Sequence, residues 1–436
     1  MQPDHNLDFT TWECSMKRTR LRIAALGLTL AAGAVHADGL DPLKGAFGET
    51  KYIFDTRLRM EQVDQDPLAE DADALTLRAR LGFETGKAWN TSLLIEGDAV
   101  VPLIDDYRPD PTSTENLPYP VVADPEAYEF NRFQLTNTSL PGTTLTLGRQ
   151  RIGLDDQRFV GAVGWRQNEQ TFDAFRVVNR SVANLVFDAT YLNRVNRVFG
   201  DDSRQGDYKG DTFLLNASYQ TKIGKITAFG YLLDFDAITN IPAGVNPIRD
   251  STSTYGLRFA GERPVGKIKL AYVASYATQT DYADNPLDFD LDYVTAELTG
   301  TFRQFSLGVG TEVLEGNGLA GAAGKGFTTP LATLHKFQGW ADKFLTTPAN
   351  GIEDVYATGS ATLKGVGVLD TLSFIATYHD YEAEQITADY GEEWNFSLAA
   401  KIKRFNLMLK YADYTQGVPT IARDTEKLWA QVEFVW

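Results

Sequence analysis

The chain has 436 residues, a formal net charge of −17, 43% hydrophobic residues, four histidines and one cysteine. So acidic a chain does not suit nucleic acid, a lone cysteine leaves no internal disulfide, and no apolar run after the amino terminus reaches the roughly 18 residues of a spanning helix. Glycine, phenylalanine and tyrosine are abundant (37, 25 and 19 residues), as alternating strands with aromatic girdles require.

Lys17, Arg18, Arg20 and Arg22 precede an apolar run from Ile23 to Ala32 and the small-residue stretch Gly33 to Ala37. These are the three parts of a secretory signal. With Val35 and Ala37 at the small positions, cleavage is expected after Ala37. Residues 1–15 read as an over-called start, with Met16 as the initiator, and Cys14 falls in that leader. Residues 38–436 then form the mature chain, which has no cysteine and so no thiolate metal site.

From residue 52 onward the sequence alternates. Tyr52, Phe54, Leu58 and Met60 share one face, and Asp55, Arg57, Arg59 and Glu61 the other. A second strand sets Leu75, Leu77, Ala79, Leu81 and Phe83 against Thr76, Arg78, Arg80 and Glu84. Strands follow near 89–101, 128–138, 143–152, 169–180, 183–199, 211–222, 225–236, 252–262, 266–280, 291–302, 305–315, 353–364, 370–382, 392–403, 405–415 and 425–436. Short turns alternate with longer connections, the longest near 316–352, which is the signature of an outer-membrane barrel. The segments near 143, 169 and 225 break the alternation, and Arg149 shares parity with Leu145 and Leu147, which points to a bulge or to a strand rising above the lipid.

The last strand puts Leu428, Ala430, Val432, Phe434 and Trp436 in one row and stops on an aromatic carboxy terminus. That ending resembles the strand read by the barrel-assembly machinery, with Trp436 as the recognised residue. A two-sheet sandwich would alternate as well, but polar rows recur in nearly every strand and no second apolar set remains to fill its core. The expected fold is all-β: one transmembrane antiparallel up-and-down β-barrel of 18 strands in the bacterial outer membrane, among lipid and lipopolysaccharide.

Arginine dominates the polar rows. Arg57, Arg59, Arg78, Arg80, Arg132 and Arg194 are expected in the lumen, and Arg149, Arg151, Arg158, Arg166 and Arg176 surround the third long loop. Guanidinium groups bind carboxylates bidentately and stay charged at any working pH, so a pore lined with them draws in anionic solutes. The same arginines could instead pair with Asp55, Glu61, Glu84, Glu96 and Asp98 and brace the interior.

The stretch Leu147-Gly-Arg-Gln-Arg-Ile-Gly153, then Gly164-Trp-Arg-Gln-Asn168 and Thr171-Phe-Asp-Ala-Phe-Arg176, resembles the alginate-export family of outer-membrane barrels. The resemblance implies 18 strands and an arginine-rich lumen that passes anionic material, with Arg149, Arg151, Arg166 and Arg176 on the shared motif. The loops are shorter than a plugged polymer exporter would need, which leaves the substrate open.

Other chemistry is weakly represented. His379, near Ser373 and Asp380, reads as an interfacial histidine, and His335 lies in the long loop; no enzyme is expected. The acidic stretches 64–73, 201–207 and 281–292 lack the Asp-x-Asp-x-Asp-Gly spacing of a calcium loop, so no metal or cofactor is expected. The sequence therefore reads as a passive, porin-like channel for an anionic small molecule or acidic saccharide, with loop 154–167 or 316–352 as the constriction. An exporter of an acidic polysaccharide such as alginate, or a closed-lumen receptor or adhesion barrel, remains open at this point.

Overall fold

The computed structural model describes residues 41–241, 245–417 and 421–436; the expected secretory signal, its cleavage point after Ala37 and Cys14 lie outside the described residues. A short helix α1 (Asp41–Gly48) leads into the strands β1 (Lys51–Gln65), β2 (Ala72–Glu84), β3 (Thr91–Asp106), β4 (Ala127–Asn137), β5 (Thr143–Gln150), β6 (Thr171–Asn179), β7 (Leu185–Asn196), β8 (Asp207–Gln220) and β9 (Lys225–Leu233). The second half supplies β10 (Thr252–Val265), β11 (Ile268–Asp281), β12 (Asp290–Phe302), β13 (Phe305–Leu314), β14 (Ile352–Val366), β15 (Leu369–Glu382), β16 (Asp389–Ile402), β17 (Phe405–Gln416) and β18 (Thr425–Val435).

Each strand pairs antiparallel with its sequence neighbours, and β1 closes on β18 from Asp55 opposite Val435 to Gln65 opposite Thr425. The Trp436 amide extends that seam by donating to the Phe54 carbonyl at 2.9 Å. Closure leaves no free sheet edge, as hydrocarbon demands of any spanning sheet. The two-residue turns Gly266-Lys267, Arg303-Gln304, Gly367-Val368 and Lys403-Arg404 each begin at positive φ (62°, 56°, 61° and 53°). That geometry matches the twist of the flanking strands. Short turns define the periplasmic end and the longer loops the extracellular end.

The two strand faces differ as the alternation requires. On β16, Trp394, Phe396 and Leu398 are exposed on the outer wall, whereas Glu393 and Asn395 are buried inside. On β1, Tyr52, Phe54 and Leu58 face out and Arg57, Arg59 and Glu61 face in.

One expectation is corrected here: a second apolar set does exist, and it fills part of the lumen. Loops 151–170 and 315–351 both fold inward and join each other in a parallel bridge between Val160 and Leu331. Gly161 donates to the Leu331 carbonyl at 2.8 Å, and the Gln170 amide reaches both the Gly161 and Leu331 carbonyls at 2.9 Å. Ile152, Val160, Phe327 and Leu331 from the loops pack with Phe172, Leu192, Leu214, Phe229, Tyr231 and Tyr293 from the wall. This explains why β6 and β9 break the alternation: their inward rows face covered apolar loop rather than water.

The barrel phase gives a direct test. Leu398→Arg places a charge on the lipid face near mid-strand and is expected to cost about 2–4 kcal/mol, whereas its neighbour Ser397→Arg points into the lumen and is expected to cost under about 1 kcal/mol. Denaturant titration of both variants refolded into lipid vesicles measures the difference.

Candidate functional site

The arginines expected in the lumen form a ladder on β1 to β4, and each rung has a carboxylate. Arg57 pairs with Glu433 at 2.7 Å, Arg78 with Asp55 and with Glu433 at 3.4 Å, and Arg80 with Asp98 through two bonds of 2.7 Å. Arg132 binds Glu96 at 2.9 Å, and Arg151 binds Glu169 and also Glu96 at 3.2 Å. Arg176 pairs with Asp188 across β6 and β7 at 3.0 Å. Geometry of this forked kind is the strongest an ion pair adopts.

Loop 151–170 rests on the upper part of that ladder. Arg57 donates to the carbonyls of Gly164, Trp165 and Arg166 at 3.2 Å each, and Arg59 to that of Trp165 at 2.5 Å. The Arg59 guanidinium also stacks over the Trp165 ring at 4.2 Å and lies 3.4 Å from Asp124. Arg166 returns the contact by reaching Glu61 at 2.9 Å and Asp342 at 3.2 Å. At the other end of the loop, Arg158 is buried against Glu312 (2.6 Å) and Thr329 (2.8 Å). Buried charges survive only with partners of this kind.

Two of the predicted lumen arginines face away from the lumen. Asn193 is bulged out of the β7–β8 register, which places Arg194 beside Asp173 and Lys209 on the outer wall. Arg149 lies opposite Phe133 and Asp173 on that same face, just after Gly148 at φ 109°. Arg149 binds Asp173 at 2.8 Å and Arg194 binds Asp207 at 2.7 Å. They sit above the exposed Leu147, Phe175 and Phe213, so β5 to β8 rise out of the apolar band. The Arg149 parity was the sequence signal for this; the Asn193 bulge had none.

Both inward loops meet the wall at a clasp that sequence reasoning missed. Lys410 on β17 is enclosed by three indole rings, with its ammonium 3.8 Å from the Trp340 ring centre, 4.1 Å from Trp165 and 5.3 Å from Trp429. It donates to His335 Nε2 at 2.6 Å, and His335 Nδ1 in turn donates to Asp342 at 2.7 Å. The His335 ring is stacked on Trp165, with centroids 4.4 Å apart. Asp342 is also held by Arg166 and by Lys427 at 3.1 Å. With Nδ1–H on the Asp342 carboxylate, a neutral imidazole leaves Nε2 as the acceptor for Lys410. Burial, reinforced by Lys410 and Arg166, lowers its pKa to about 3.

His379 is equally internal: its Nδ1 lies 3.0 Å from both oxygens of Asp354, Asp380 is on the opposite face of the strand, and Ser373 lies further down the same face. The expected interfacial position is therefore corrected, and the three residues do not assemble.

The sequence profile of the family described as "Alginate export" matches residues 99–332. The chain belongs to the alginate-export family. No curated protein matches it. Among solved structures, Pseudomonas aeruginosa OpdK, crystallised with vanillate, is 14% identical, with a TM-score of 0.68 over 90% of this chain and 100% of that one. P. aeruginosa OccK9 (OpdG) is 15% identical, with a TM-score of 0.66 over 90% and 100%, and OccK5 (OpdH) is 12% identical, with 0.64 over 90% and 99%. These likenesses carry the fold, and with the family they make the chain an outer-membrane β-barrel.

Asp342→Asn removes the charge that gathers Arg166, Lys427 and His335. It is expected to raise local opening of loop 315–351 about tenfold or more, read by hydrogen exchange, while the barrel stays folded. The neutral His335 adds stability above its ordinary pKa of 6.5 that is lost as pH falls toward about 3. Exchange in the loop should therefore quicken below about pH 6.5, after correction for intrinsic rates, and less so in His335→Gln, which keeps both hydrogen bonds without titrating.

Proposed function

We propose that the protein is a passive outer-membrane channel for anionic solutes or acidic saccharides. Its working surface is the arc of guanidinium and ammonium groups from β4 to β9, beside and below the inward loops. The observation that carries this reading is the orientation of the lumen ion pairs. In the pairs of this arc, unlike Arg57–Glu433 and Arg78–Asp55 on β1 and β2, the carboxylate is the more buried partner: the side chains are 16% against 0% exposed for Arg132 and Glu96, 33% against 4% for Arg151 and Glu169, and 39% against 9% for Lys225 and Asp155. Arg176 and Asp188 follow the same order. A solute beside this arc meets the cationic side of these pairs, so pairing lowers the charge of the wall there without hiding it.

The role expected of the arginines divides accordingly. Arg132, Arg151 and Arg176 offer donors to a passing carboxylate. Arg57, Arg59, Arg78, Arg80 and Arg166 are nearly covered, and all but Arg78 hold loop 151–170 in place. Arg149 and Arg194, on the outer wall, fall outside the solute path and stand next to lipopolysaccharide. Trp436, exposed at the end of the closing strand, is the residue offered to the barrel-assembly machinery.

A second reading is favoured by a specific observation, the two loops that fill part of the lumen: the barrel rests closed and opens for an acidic polysaccharide. It shares the same cationic arc and differs in basal conductance.

Planar-bilayer recording under a salt gradient separates these readings. A steady current with an anion-selective reversal potential is expected. Arg151→Ala with Arg176→Ala should shift that potential toward zero by roughly 10 mV or more, the order expected when a local anion excess falls by about half. Arg149→Ala should leave it unchanged. Cation selectivity in the parent protein would sink the anion reading, and absence of current would favour the closed barrel.

A further inference from the structure

The charges of this chain are sorted along the barrel axis as well as across the wall. The eight turns at the short-turn end, of two to six residues each, carry Lys87, Arg180, Lys222, Lys267, Arg303, Lys403 and Arg404 and no acidic residue. All seven are exposed. Just inside that mouth, Lys364 and Lys401 flank Thr371 on neighbouring inward rows of β14, β15 and β16. Both are exposed, and neither makes an ion pair among the described residues.

The opposite end is acidic. In the nine longer loops taken together acidic residues outnumber basic ones, with exposed carboxylates such as Glu70, Asp71, Glu115, Glu126, Asp284 and Asp288. Carboxylates continue into the adjoining strand ends, among them Asp64, Asp73, Asp105, Asp106 and Glu426. The longer loops thus carry 21 acidic against 11 basic residues, whereas the short turns carry seven basic residues and no acidic one.

We infer that the two mouths select opposite charges, so that anionic solutes are captured at the short-turn, periplasmic mouth and conduction is asymmetric. The inference rests on the channel reading above and adds to it the side from which an anion loads. Two fixed-charge zones of opposite sign in series fill with ions under one polarity and empty under the other. When the long-loop side is positive, cations enter through the acidic mouth while anions enter through the basic one, and both accumulate between. Reversed polarity drains both. The sign of a solute gradient still sets net flux; the mouths set the capture rate from each side.

The test is a current–voltage curve for the full barrel at symmetric low salt. Its orientation is fixed by a cysteine introduced at exposed Glu115 and labelled from one chamber with an impermeant thiol reagent. At about 0.1 M KCl, where charges act over about 10 Å, roughly two-fold more current is expected with the long-loop chamber positive, falling toward equality at about 1 M. Neutralising Lys87, Arg180, Lys222, Lys267, Arg303 and Lys403 to Gln should abolish the asymmetry. Replacing the four lysines of that set by Arg should preserve it. Should the six-fold variant fail to refold, Lys364→Gln with Lys401→Gln, which leaves every turn intact, should reduce it.

A symmetric curve in the parent protein, or an asymmetry that survives both neutralised variants, overturns the inference. The reversal potential is read independently. Loss of anion preference with the asymmetry intact defeats the cationic-arc reading while the polarity of the mouths stands. No current in either orientation overturns both.

Discussion

A backbone surrounded by hydrocarbon has no water to satisfy its amides and carbonyls, and an unmet group costs several kcal/mol. Here that demand is met by one continuous antiparallel sheet whose first and last strands pair with each other. Closure makes every wall residue either inward or outward. From that binary follow the exposed Trp394, Phe396 and Leu398 outside and the buried Glu393 and Asn395 within. Where a bulge shifts the phase, as at Asn193, a residue changes side and with it changes its job.

The interior then faces its own constraint. Two loops fold in and desolvate part of the wall, and a desolvated guanidinium is tolerable only with partners that recover its lost hydration. Arg59 illustrates the requirement: it reaches Asp124, Gln431 and the Trp165 carbonyl while its face lies on the indole. Lys410 meets the same requirement with indole faces and a neutral imidazole instead of a carboxylate. Aromatic faces and a hydrogen-bond acceptor together replace part of the hydration that the buried amine loses. The loops are thereby tied to the barrel by charge-assisted contacts at one edge and by apolar packing at the other, around Phe229, Tyr293 and Phe327.

The remaining lumen charge is graded by burial. Along the arc from β4 to β9 the acidic partners, Glu96 in the wall and Asp155 and Glu169 on the loop, lie deeper than the basic ones, so ion pairing and a cationic surface coexist there. Glu96 shows how: one fully buried carboxylate serves Arg132 and Arg151, with Arg80 3.6 Å away. A single anion in low dielectric thus orients several cations, and their outer donors stay available to solute.

Period-two patterning sufficed for the strands, their faces, their number and the short-turn rhythm, because a membrane wall imposes the same alternation on every segment regardless of its distant partners. It also placed Arg57, Arg59, Arg78, Arg80 and Arg132 on inward rows and marked Arg149 as out of phase. Loop lengths pointed to 154–167 or 316–352 as a constriction, but that both fold in, the clasp they form and the division of the arginines into covered and accessible sets were decided by tertiary structure alone. Glu433 meets Arg57 across the closing seam, and Asp342 meets Arg166 from a loop far along the chain. Sequence carries local periodicity, whereas pairings between distant segments exist only once the barrel has closed around them.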